Sequence, residues 1–254
     1  MSIIKVIEET LTGFCKEYIA DPYLCYTEHG QHALYFTELY NALPENERYV
    51  SSMLPDEEKI KICRIQKEYP THDSLGKSKR QNWDISVIKN PVEVTKKKHP
   101  FDYLKLEAAI EFGLNSRIDH LVDDFLRLSH SDTNADHRCV VHLYRLSEAG
   151  NQISARDWSA NAKDFKEYIK TEKLIKILKT LSTGNADKIK EELKNLDDSI
   201  KQKIENYEDR LKEITSTPVT FFLGYVDFAG KPKPLSALYK ISEGKSETLS
   251  ESKP

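Results

Sequence analysis

Two short stretches hold acidic residues in settings that disfavour a bare carboxylate. Asn82-Trp83-Asp84-Ile85-Ser86-Val87-Ile88 and LKLEAAIEFGLN, residues 104–115, both read as strands. Strand side chains alternate between faces, which puts Leu104, Leu106, Ala108, Ile110 and Phe112 together and Lys105, Glu107, Ala109, Glu111 and Gly113 opposite. A carboxylate among apolar neighbours needs compensation, and a hard divalent cation is one such partner. A functional reading of Asp84 and Glu111 can therefore be built on metal binding.

The elements that must position these acids follow from hydrophobic periodicity. Ile4, Ile7, Leu11, Phe14 and Tyr18 mark a first helix, broken at Asp21-Pro22. Thr27 is placed to cap a second helix running to Leu43, with Ala33, Leu34, Phe36, Leu39 and Tyr40 as its apolar positions and Pro44 as its stop. A strand is expected over Lys61 to Tyr69, then the two acidic strands. A helix follows from Ser116 to Leu128, with Ile118, Leu121, Val122 and Phe125 inward, and then a strand over Arg138 to Leu146. Residues 155–215 shift to lysine, glutamate, leucine and isoleucine. Their apolar spacing predicts two helices joined at Gly184-Asn185, an antiparallel hairpin. Val219 to Phe228 is the final strand.

The domain reading is an α/β core over 1–150, a helical hairpin inserted at 155–215, a strand returning to the core within 218–241, and a disordered polar tail over 242–254. The fold class is a mixed sheet flanked by helices. With 254 residues the chain can bury one sizeable core, and 31% charged residues fit a globular protein. A formal net charge of -3 gives no overall basic footprint. No apolar run spans a membrane, and MSIIKVIEETL lacks the layout of a signal peptide, so a cytoplasmic protein without a membrane partner is expected. Cys15, Cys25, Cys63 and Cys139 lie far apart with no CxxC pair, as free thiols in a reducing compartment do. There is no P-loop, no dinucleotide fingerprint and no Gly-x-Ser-x-Gly elbow.

An acid on a helix (Glu28), an aspartate opening a strand (Asp84), an acid on the next strand (Glu111), then a helix and a strand occur in that order. This layout resembles the PD-(D/E)XK nuclease superfamily, with its restriction-endonuclease-like fold. EFGLN followed by HLVDDFLRLSH is similar to that fold's strand-to-helix step. The resemblance covers residues 20–148, with 219–228 as a closing strand. It implies Mg²⁺ held by Asp84 and Glu111, with Glu28 supporting them, and a nucleic-acid phosphodiester as substrate. Trp83 stands where the motif has proline. Gly113 stands where E-x-K has lysine, and counting from Glu107 instead puts Ala109 there.

Glu107 and Glu111 lie about 13 Å apart along a strand, too far to share one ion. Glu111 borders Gly113, and strand ends in α/β sheets are where sites tend to form, which favours Glu111. Lys105 could replace the missing lysine only in the Glu107 register; Arg117 or Arg127 could instead reach the site from the following helix. Lys77, Lys79 and Arg80, and Lys96, Lys97 and Lys98, form basic patches suited to phosphate contacts.

Other titratable residues have plainer expectations. His29 and His32 sit one turn apart, but the sequence offers no third ligand beside them. Asp123, Asp124 and His120 read as a solvated helix face, with Arg127 in reach of Asp123. The leading reading is a Mg²⁺-dependent nuclease-like protein. The alternative is an inactive nuclease-fold binding or scaffold protein. The hairpin's apolar stripe could serve homodimerisation.

Overall fold

The computed structural model describes residues 2–51, 61–71, 82–93, 104–146, 172–228 and 234–252. α1 (Ile3–Ala20) buries Val6, Ile7, Leu11, Phe14 and Tyr18 along one stripe, and the Lys5 amide donates to the capping Ser2 hydroxyl at 3.3 Å. α2 (Glu28–Ala42) starts at Thr27, whose Oγ1 accepts from the Gly30 amide at 3.0 Å, and ends ahead of Pro44. Its inward face is not the one hydrophobicity suggests. Gln31, His32, Tyr35 and Leu39 are buried, whereas Ala33 is exposed and Leu34 and Phe36 are half-buried. Aromatic packing sets this rotation: His32 and Tyr35 rest against Phe112 of the sheet, at centroid distances of 5.3 and 5.5 Å.

The middle layer is a seven-stranded mixed sheet in the order β3-β4-β5-β6-β7-β8-β9. Its strands are β3 (Ile65–Pro70), β4 (Asn82–Ile88), β5 (Leu106–Leu114), β6 (Ala135–Leu146), β7 (Thr220–Asp227), β8 (Leu235–Ser242) and β9 (Lys245–Ser252). β3, β4 and β5 form an antiparallel meander; β5, β6 and β7 are parallel; β7, β8 and β9 are antiparallel. α3 (Ile118–Ser129) lies between β5 and β6, the connection that a parallel pair requires. α1 and α2 cover one face over Ile85, Ile110, Phe112 and Val141. α3 and the later helices cover the other over Val140, Tyr144, Phe221 and Leu223. Sandwiched on both sides, the middle strands read as apolar runs.

The region expected as one strand from Lys61 to Tyr69 is two. β2 (Lys61–Cys63) pairs with β1 (Tyr49–Ser51) in a separate two-stranded ribbon, and β3 begins after Arg64. Arg64 is buried, with Nε donating to the Ile88 carbonyl at 2.8 Å and a contact to Glu47, and it fixes the corner between the sheets. The simple alternation along β5 also breaks. Val87 pairs with Ala108 but Ile88 with Leu106, so Glu107 is an extra residue in a bulge. Leu104 and Leu106 consequently join the α3-side core, away from Ala108, Ile110 and Phe112.

The predicted two-helix hairpin is not what forms over the described part of 155–215. Four helices occur there: α4 (Lys173–Leu181), α5 (Ala186–Lys194), α6 (Asp198–Lys201) and α7 (Tyr207–Lys212). The long second helix is interrupted after Asn195 and again at Asn206, which takes a left-handed φ of 52°. The apolar stripe survives the breaks: Leu178, Leu181, Ile189, Leu193, Ile200, Ile204 and Leu211 are all buried in the α3-side core. The stripe expected to mediate homodimerisation thus packs within the chain.

The tail expected to be disordered from 242 is ordered to Ser252. Glu243 and Gly244 both have positive φ, 51° and 77°, the conformation of a two-residue hairpin turn joining β8 to β9. β9 is polar because it is an edge strand, where polarity blocks further pairing, rather than because it is unstructured. Among the described residues no helix is long and apolar enough to cross a membrane. All four cysteines are free.

Candidate metal centre

The β4–β5 register pairs Ile85 with Ile110 and Ser86 with Ala109, and one step further sets Asp84 across from Glu111. Their carboxyls are near enough to act on each other's ionisation. Asp84 Oδ2 also accepts from the Phe112 amide at 2.7 Å. Glu28, in the first turn of α2, comes to the same strand end, where Oε2 accepts from the Leu114 amide at 3.3 Å. The structure therefore sets Asp84 beside Glu111 and Glu28 near Asp84, but the three carboxyls do not all come within 4.8 Å of one another.

α3 and β6 complete the surroundings. Arg127 Nη2 lies 2.5 Å from Glu111 Oε1 and 3.1 Å from Asp124 Oδ1. Asp124 Oδ2 meets His142 Nε2 at 2.8 Å, and His142 Nδ1 meets the Tyr144 hydroxyl at 3.2 Å. His120 Nε2 stands 3.7 Å from Asp124 Oδ1. Outside this core, His32 Nε2 lies 3.5 Å from Asp84 Oδ2.

Charge within the cluster is unbalanced. Glu111, Asp124 and Asp84 all act on the one guanidinium of Arg127, and the nearby histidines His32 and His142 have pKa values lowered, chiefly by burial. Burial pushes the Glu111 carboxyl well up; Arg127 opposes this, and Asp84 and Asp124 add to it. Burial also raises Asp84, against His32 and the Phe112 amide. Glu28 is raised by burial and then by Asp84. Asp124 goes the other way: burial raises it, but the His142 hydrogen bond and the charges of His120 and Arg127 prevail and hold it low. Glu111 is wholly buried, and neither oxygen receives a well-directed hydrogen bond. Buried polar atoms are seldom left so.

A divalent cation would relieve this excess. Asp84 and Glu111 offer oxygen ligands, the donor set that Mg²⁺ takes, with water completing its shell, while Glu28 does not reach as a third ligand. Arg127 would have to cede its contact with Glu111.

Several sequence expectations resolve here. Glu107 pairs with Arg64 at 3.5 Å and Lys105 with Asp136 at 3.1 Å, so neither belongs to the centre. Arg117 binds its neighbour Asp119. Asp123 contacts Arg210 and also acts on Arg127 through its charge. Asp124, expected on a solvated face, is buried beneath the centre. His142 was legible only as a histidine inside the apolar run RCVVHLYRL. Lys79, Arg80, Lys96, Lys97 and Lys98 lie outside the described residues. An open cleft of about 540 Å³ adjoins the centre on the His120 side, with Arg117, Asp123 and Lys203 among its lining residues.

Compared with protein-family profiles, with curated proteins and with solved structures, the chain finds no match.

Proposed function

We propose that this chain is a Mg²⁺-dependent, nuclease-like protein that binds and cleaves phosphodiesters of nucleic acid. The observation that carries the reading is the pairing of the buried Asp84 and Glu111 carboxyls across β4 and β5, with Glu28 near Asp84. The order of the elements supports it: a helix with Glu28, a strand opened by Asp84, a strand with Glu111, a helix, and a parallel strand. That order is the one the resemblance to the restriction-endonuclease-like fold implies.

Asp84 and Glu111 would hold the ion and Glu28 would orient a water beside it. The ion would lower the pKa of that water and neutralise charge on the phosphate. Arg127 is the fixed cation of the site and stands in for the missing lysine as a charge, though a guanidinium does not accept protons. His142 is engaged at both ring nitrogens, which ties it to positioning Asp124. The cleft on the His120 side carries Lys203 as a phosphate-binding group, while its Arg117 is held by Asp119, and Asp123 and Glu205 also line it.

The Arg127–Glu111 contact favours a second reading, a nuclease-shaped binding protein in which the arginine has replaced the ion. Titration calorimetry with Mg²⁺ and Mn²⁺, on wild type and on Asp84→Ala/Glu111→Ala, separates the two when followed by plasmid cleavage. Uptake and cleavage that both vanish in the double variant support the enzyme. No uptake by wild type sinks it and leaves the binding protein.

A further inference from the structure

His29 and His32 gain in three dimensions the third partner that the sequence did not supply. Glu68, on β3, reaches across to the first turns of α2. His29 Nδ1 and His32 Nδ1 each lie 3.7 Å from Glu68 Oε1. The two imidazoles stand edge to face with centroids 5.5 Å apart. One ligand atom from each of the three residues lies within 4.8 Å of the others.

These separations suit an ion better than hydrogen bonds. At 3.7 Å the groups are too far apart to bond to one another. Ligands about 2.1 Å from a tetrahedral ion are roughly 3.4 Å apart, close to what is seen. His32 supplies an independent sign. It is fully buried, yet neither of its ring nitrogens has a hydrogen-bond partner, while Nδ1 points toward Glu68. Its other nitrogen faces Asp84 at 3.5 Å. A histidine with one nitrogen toward a ligand position and the other toward a carboxylate has the arrangement that fixes metal-binding imidazoles.

We infer that His29, His32 and Glu68 form a second, distinct site for a borderline transition cation, of which zinc is the representative. Two imidazoles and one carboxylate suit zinc, cobalt or nickel rather than magnesium. The His29 side chain is 80% exposed and that of Glu68 44%, which leaves the outer coordination position open to water. Metal on His32 Nδ1 requires the proton on Nε2, directed at Asp84. Occupancy here therefore adds a hydrogen-bond donor to a carboxylate of the neighbouring centre. The site does not depend on the activity proposed above.

The test is cobalt(II) titration of the full chain, followed by visible absorption, with zinc competition and excess magnesium as controls. One equivalent is expected, giving the absorption of low-coordinate cobalt, displaced by zinc and not by magnesium. His29→Ala, at an exposed position, and Glu68→Gln are each expected to weaken binding by roughly a hundredfold or more, beyond the loss typical of an outer partner. Glu111→Gln and His120→Ala are expected to leave it unchanged. No cobalt uptake overturns the proposal, as does uptake indifferent to His29→Ala and Glu68→Gln. Uptake abolished by His120→Ala overturns it in favour of the His120–Asp124–His142 cluster. Cobalt binding without any magnesium uptake would leave this site standing while the nuclease reading fell.

Discussion

The imidazole of His142 occupies the space in which a side chain at position 113 would have to begin. A Cβ on Gly113 would lie 2.4 Å from its Cε1 and 2.6 Å from both ring nitrogens. β5 and β6 pair Gly113 directly with His142, and Asp124 and Tyr144 hold the ring in place. The glycine where the E-x-K motif has lysine is thus required by a neighbouring strand. Gly113→Ala is expected to cost about 1–3 kcal/mol through overpacking, read as a lowered urea midpoint. Adding His142→Ala should recover part of that loss; if the double variant is simply the sum of the two, the contact is not the cause.

Arg127 is the cation on which two buried acids depend. Replacing it with methionine leaves Glu111 and Asp124 without that charge, and breaking a buried pair in this way costs about 3–5 kcal/mol. The loss should shrink when Glu111→Gln is added, because one of the stranded charges is then gone. Denaturant unfolding of the four-member mutant cycle measures the coupling, and strict additivity would contradict the described contact.

The raised acids give stability a definite slope with pH. Glu28, Asp84 and Glu111 have folded pKa values above their unfolded ones. Such groups contribute stability that is fully present below the unfolded value, about 4, and lost as pH rises through the folded value. Glu38, pushed up to about 7 by burial and Glu17, adds to the same limb. The contribution of these acids to the urea midpoint should therefore fall from pH 5 toward 8. Glu38→Gln and Glu111→Gln should each flatten the fall. Asp124 is held low and has the opposite sign, so its contribution disappears only as acid is added. The histidines His32, His130, His137 and His142, whose pKa values burial lowers, act in the opposite sense, so the test is the difference between wild type and each variant. A wild-type-minus-variant midpoint that does not fall with pH would refute the assignment.

His142 should be neutral at pH 7 with its proton on Nε2. Burial lowers its pKa despite the bond to Asp124, Nε2 faces that carboxylate, and Nδ1 faces the Tyr144 hydroxyl. NMR of the imidazole nitrogens distinguishes the tautomers directly. Two protonated nitrogens at neutral pH would show an imidazolium instead.

The sequence by itself determined the local order: α1, α2 with its Thr27 cap, the acidic strands, α3 and the β6 run. Periodicity and caps act within a few residues, and those residues are all present in a linear reading. It also placed Asp84 and Glu111 on adjacent strands. What it could not contain were relationships set by register and by twist between distant segments. Glu68 meets His29 and His32 only because α2 lies across β3, and Glu107 meets Arg64 where a bulge shifts the pairing of β5 against β4. Asp124 reads as solvated until β6 brings His142 onto it. The β8–β9 hairpin reads as tail because an edge strand needs polarity rather than apolar alternation. Whether a charge is exposed, paired or stranded depends on what the remaining chain brings against it. Tertiary packing alone decided that.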